Sequence, residues 1–93
     1  MMFFLVCFDI TDDRIRYRAV KAIKSYGVRV QKSVFECADL SEEGYLKMKN
    51  RLEELIDHGE DSVRYYQLCR GCVRRVEYSG MGGLPDTENF RVV

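Results

Sequence analysis

Phe3-Phe4-Leu5-Val6-Cys7-Phe8-Asp9-Ile10-Thr11-Asp12-Asp13 is the stretch on which the fold turns. Six apolar residues in a row, rich in aromatic and branched side chains and followed by turn signals, predict a strand buried on both faces. Asp9 then places an acid at the strand's C-terminal end, where a fold tends to put chemistry rather than packing. Thr11 is set to cap a helix whose first turn carries Asp12 and Asp13, the charge sign favoured there.

Downstream, Ile15, Ala19, Ala22, Ile23 and Tyr26 recur at helical spacing, so residues 11–26 predict an amphipathic helix. Arg14, Arg18 and Lys21 line its wet face, and Arg16 sits at the edge of the apolar stripe. Gly27 ends the helix. Residues 28–35 read as a second strand with an impure alternation and a bend near Ser33, and residues 36–40 as a third folding back. Ser41 caps a second helix with the stripe Tyr45, Met48, Leu52, Leu55 and Ile56. His58, the only histidine, lies at that helix's end, where a solvated cation is favourable. Residues 62–68 and 73–78 predict two more strands. Gly80-Met81-Gly82-Gly83-Leu84-Pro85 is a break, and the apolar terminus Phe90–Val93 is too short to fold without docking on something.

This order predicts an α+β, ferredoxin-like βαββαβ fold: an antiparallel sheet with two helices on one face, plus an extra C-terminal strand. The expected division is a domain over residues 1–80 and a flexible tail over 81–93 that docks at a dimer interface. A chain of 93 residues buries a limited core, and pairing into a homodimer adds to it.

Lys plus Arg and Asp plus Glu each total 15, so the net charge is zero. Its distribution is uneven: net +4 over residues 1–35, −6 over 36–61 and +3 over 62–78. If the two basic segments meet, they form a positive patch on a neutral protein. The N-terminal apolar run has no basic flank and no small-residue cleavage site, so no signal peptide is expected. It is also short of the roughly 20 residues that span a membrane. A cytoplasmic setting with reduced thiols follows as the expectation.

Cys69-Arg70-Gly71-Cys72 is a CxxC, but the other cysteines, Cys7 and Cys37, stand 30 residues apart and suit a zinc site poorly. A redox CxxC should open a helix, and the residues after Cys72 read as strand, which argues against that use. Neither a glycine-rich phosphate loop nor a nucleophile elbow is present.

What remains is Asp9 among arginines. Asp9 with Arg16 or Arg18 could be a structural ion pair, or part of phosphodiester chemistry. Mg²⁺ or Mn²⁺ takes oxygen ligands and often only one or two carboxylates. One chain offers one such acid, and a two-fold dimer would offer a pair of Asp9 side chains. Arg14, Arg18, Lys21, Arg74 and Arg75 are the candidates for nucleic-acid phosphate contacts.

Phe8-Asp9-Ile10-Thr11-Asp12-Asp13, then Arg16 and Arg18, then Gln31-Lys32-Ser33-Val34-Phe35-Glu36, then Tyr78-Ser79-Gly80 carry a resemblance. In that order and at those lengths, the chain resembles the small CRISPR-associated proteins that partner the integrase in spacer acquisition, a family described as metal-dependent endoribonucleases. The resemblance implies a ferredoxin-like homodimer with Asp9 as the shared catalytic and metal-binding acid. It further implies supporting roles for Arg16, Arg18, Arg29 and Phe35 near the dimer cleft. Phe8 departs from the tyrosine common before the acid, and Cys37 stands where glycine is frequent. Two activities are compatible with it: a Mg²⁺-dependent nuclease, or a non-catalytic scaffold that holds duplex DNA and bridges integrase dimers.

Overall fold

In the computed structural model, which describes residues 1–84, strand β1 (Met2–Asp9) is central. It pairs antiparallel with β3 (Val34–Leu40) on one side and β4 (Ser62–Leu68) on the other. β2 (Val28–Gln31) lies outside β3, giving the order β2-β3-β1-β4. Helix α1 (Asp13–Lys24) follows β1, and α2 (Glu42–Leu55) joins β3 to β4. This is the expected ferredoxin-like βαββαβ arrangement.

The core lies between the sheet and these two helices. Phe4, Val6 and Phe8 of β1 meet Phe35 and Cys37 of β3, Ala19 and Ile23 of α1, and Met48 and Leu52 of α2. These positions come from period-2 alternation in the strands and period-3.6 stripes in the helices, so each element buries one face. A fully buried side chain such as Phe35 contributes roughly 2–3 kcal/mol. Tyr45 of α2 stacks on Phe4 at 4.2 Å and meets Tyr65 edge-on at 5.8 Å.

Four sequence expectations change. The cap of α1 is Asp12, not Thr11: its carboxylate accepts the Arg14 and Ile15 N–H groups at 2.8 and 3.1 Å. The Ile15 amide above all holds the Asp12 carboxyl below the ordinary range. The apolar run 28–35 is not one bent strand but a hairpin turning at Lys32-Ser33. The Arg29 side chain closes it, donating from Nε and Nη2 to the Lys32 carbonyl at 3.1 and 2.7 Å.

β1 is buried on both faces only at its start. Phe3 is covered on the second face, whereas Leu5 and Cys7 are half-buried and Asp9 is exposed. Residues 73–78 form no strand. A short helix α3 (Arg70–Arg74) takes their beginning, and Val73 packs against Phe3 with Ala38 and Leu68 alongside. Five residues are too few to show a helical period, and Val73's burial decides the conformation. The expected docking segment Phe90–Val93 lies outside the described residues.

Candidate functional site

With α1 and α2 on one face, the other face of the sheet carries the alternate residues. Directly opposite pairs share a face, so Leu5 stands beside Glu36 and Tyr66, Cys7 beside Val34 and Arg64, and Asp9 beside Ser62. Val73 covers Phe3 at one end of this face, and residues 76–84 flank Glu36 and Ala38 across a cleft of about 830 Å³; Asp9, at the other end, is exposed. Burial pushes the Cys7 thiol up, partly offset by the Arg64 charge, and burial likewise raises the Glu36 carboxyl.

Asp9 ends the central strand on this face, and its carboxylate takes no hydrogen bond or ion pair among the described residues. It is therefore neither a cap nor a salt-bridge partner there. Arg16, the expected neighbour, is engaged elsewhere: Nη1 donates to the Ile10 carbonyl at 2.9 Å and Nη2 contacts the Asp13 carboxylate. Arg16 thus braces the turn after Asp9 rather than pairing with it.

That turn has a second brace, which the sequence reading missed. Asp61 Oδ1 accepts the Thr11 N–H at 3.3 Å, and its Oδ2 accepts the Asp57 N–H at 2.9 Å. One carboxylate ties the loop after β1 to the loop before β4. Opposite it, the Phe8 N–H donates to the Ser33 carbonyl at 3.1 Å. The backbone flanking Asp9 is thus held by three contacts, from Arg16, Asp61 and Ser33.

Phe35 is fully buried and lies 6.1 Å from Phe8, ring to ring, on the helix side of the sheet. Its place is under the site, not in a cleft. Arg29 serves the β2–β3 turn. Arg74 and Arg75 are exposed at the end of α3.

Arg14, Arg18 and Lys21 line a groove of about 770 Å³ together with Tyr17, Ser25 and, from α2, Arg51. Arg51 and Tyr17 were not singled out in the sequence. Arg51 lies in the acidic segment, and only the packing of α2 on α1 brings it to the basic side.

A hard divalent cation needs oxygen donors, and no group of three or more His, Cys, Asp or Glu residues gathers among the described residues. At the end of β1 one chain supplies one free carboxylate, that of Asp9. That donor suits Mg²⁺ or Mn²⁺ in kind, and in number only when a second copy adds its own. No helix among the described residues is long and apolar enough to cross a membrane.

The sheet order, the helix-covered face and the acid at the end of the central strand define a small ferredoxin-like protein with an open sheet face. The family model described as CRISPR associated protein Cas2 matches residues 2–76, and the chain belongs to that family. It is 40% identical over 87 residues to CRISPR-associated endoribonuclease Cas2 1 of Chloroflexus aurantiacus, covering 92% of each chain. With CRISPR-associated endonuclease Cas2 2 of Thermus thermophilus it shares 38% identity over 90 residues, 97% of this chain and 94% of that one. Among solved structures, Streptococcus pyogenes Cas2 superposes with a TM-score of 0.76 at 36% identity, over 85% of this chain and 100% of the other. A chain from a partial Cas6-RT-Cas1–Cas2 complex matches with a TM-score of 0.73 at 25% identity, over 91% and 95%.

Proposed function

We propose that the chain pairs two-fold through its open sheet face, so that two Asp9 carboxylates stand together and hold Mg²⁺ or Mn²⁺. The pair then directs hydrolysis of a phosphodiester in RNA or DNA, in the cytoplasm, as part of spacer integration with the CRISPR integrase. The observation that carries this is the free, exposed carboxylate of Asp9 at the end of the central strand, on the sheet face away from the helices. Relatives named endoribonuclease and endonuclease support a nuclease, and the match to a chain of a Cas1–Cas2 complex supports an integrase partner.

In this reading Asp9 binds and orients. The cation would supply positive charge at the scissile phosphate and a more acidic water. Arg16 and Asp61 position Asp9 by fixing the turn behind it, and Arg29 and Phe35 support the strands on which it rests. The ferredoxin-like unit is residues 1–80.

A second reading follows from a different observation, the basic groove on α1 and α2. Arg14, Arg18, Lys21 and Arg51 line it beside Tyr17 and a single acid, Asp13, and with Arg74 and Arg75 they suit phosphates without any cutting. The dimer is then a scaffold that holds duplex DNA and bridges integrase dimers.

Asp9→Asn separates the two. It keeps the shape and removes the charge. The nuclease reading expects cleavage of RNA or DNA to vanish and Mn²⁺ binding, followed by titration calorimetry, to weaken, with the melting temperature unchanged. Equal cutting by wild type and variant would overturn it. Integration that survives Asp9→Asn alongside loss of cleavage would leave the scaffold as the function in adaptation.

A further inference from the structure

The CxxC does open a helix. Cys69 follows β4 directly and is the N-cap of α3, with Cys72 one turn on. The Cys72 N–H donates to Cys69 Sγ at 3.4 Å. Both side chains are free thiols and exposed. Val73, the next residue, is buried against Phe3, so the dithiol is anchored to the core while its sulfurs face water.

The geometry points to Cys69 and Cys72 as a thiol–disulfide exchange site, which reduces a glutathione-type disulfide and closes to an intramolecular Cys69–Cys72 bond. This uses none of the residues of the Asp9 reading.

The two sulfurs differ in role. The Cys72 N–H, and after it the Cys72 thiol, hold the Cys69 thiol below its ordinary range, while the bond it gives to Cys69 raises the Cys72 thiol. Cys69 is therefore the attacking thiolate and Cys72 the resolving thiol. The Cys69 thiolate attacks one sulfur of the disulfide, forming a mixed disulfide and expelling one glutathione thiolate. Cys72 then gives up its proton and attacks the Cys69 sulfur, expelling the second. Two electrons pass from the protein to the disulfide, and the protons end on the two released thiols. The other cysteines are built otherwise: Cys37 is fully buried, its thiol pushed up to about 11 by burial, and Cys7 is raised by burial as well.

The test mixes reduced full-length protein with glutathione disulfide without air, quenches with an alkylating agent and maps the peptides by mass spectrometry. Wild type is expected to give a Cys69–Cys72 disulfide with Cys7 and Cys37 still alkylated. Cys72→Ser should accumulate glutathione on Cys69. Cys69→Ser, which keeps a capping oxygen, should slow glutathione capture at Cys72 by about tenfold. Stable glutathione on Cys69 in wild type, a disulfide between two chains, or equal capture by both serine variants would overturn the assignment.

Discussion

Gly27 passes so close to Glu36 that a Cβ on Gly27 would stand 2.5 Å from the Glu36 carbonyl oxygen. The Cys37 sulfur lies at the same distance from that position. Here the chain leaves α1 and enters β2 against β3, and the backbone cannot retreat without losing the sheet pairing. Gly27→Ala should cost about 1–3 kcal/mol, read as a fall in the denaturation midpoint. A shift under half a kilocalorie would show that β2 and β3 can part freely.

Tyr65 offers the opposite case. Its hydroxyl is buried without a hydrogen-bond partner among the described residues, and burial pushes the phenol up to about 12. The ring itself is well packed against Tyr45. Tyr65→Phe removes an unsatisfied group and keeps the ring, so it should stabilise the fold by about 1 kcal/mol. A loss of stability in urea denaturation would show that the hydroxyl has found a partner.

Glu36 makes stability depend on pH. Burial raises its carboxyl in the folded protein, so the folded state holds its proton to higher pH than the unfolded chain. Its contribution is neutral at low pH, where both states are protonated, and unfavourable above the raised value. The Glu36 contribution should therefore fall as pH rises through the carboxylate range, opposite in sign to that of Asp12, whose carboxyl is lowered. Glu36→Gln should flatten that slope and raise the melting temperature at neutral pH. An identical pH profile in the variant would mean that Glu36 stays solvated on the open face.

The groove between α1 and α2 predicts a salt effect. If Arg14 and Arg18 each neutralise one phosphate, reversing both to Glu should cut the slope of log affinity against log salt for duplex DNA by about 2. Arg51→Glu should act in the same direction by about 1. Fluorescence anisotropy at several salt concentrations reads this. Unchanged slopes would leave these bases as solvated surface charge.

Sequence alone determined those features that repeat with a period or depend on near neighbours. The stripes Ile15-Ala19-Ile23 and Tyr45-Met48-Leu52 were legible because a helix must bury one side. The Ser41 cap was legible because a serine oxygen serves an amide three residues on. The apolar run before Asp9 announced a central strand and put the acid at its end.

Tertiary structure decided what depends on distant partners. Arg16 turns to the Ile10 carbonyl because the turn leaves that oxygen within reach, while Asp9 projects from the far face of the sheet. Asp61 braces the loop at Thr11 from 50 residues away. Arg51 joins Arg14 and Arg18 only across the packing of two helices. Val73 makes a helix of an expected strand because Phe3 needs covering, and that helix brings the two thiols of Cys69 and Cys72 together. No local pattern encodes such contacts, since each is selected by burial or hydrogen bonding that exists only after the sheet has closed.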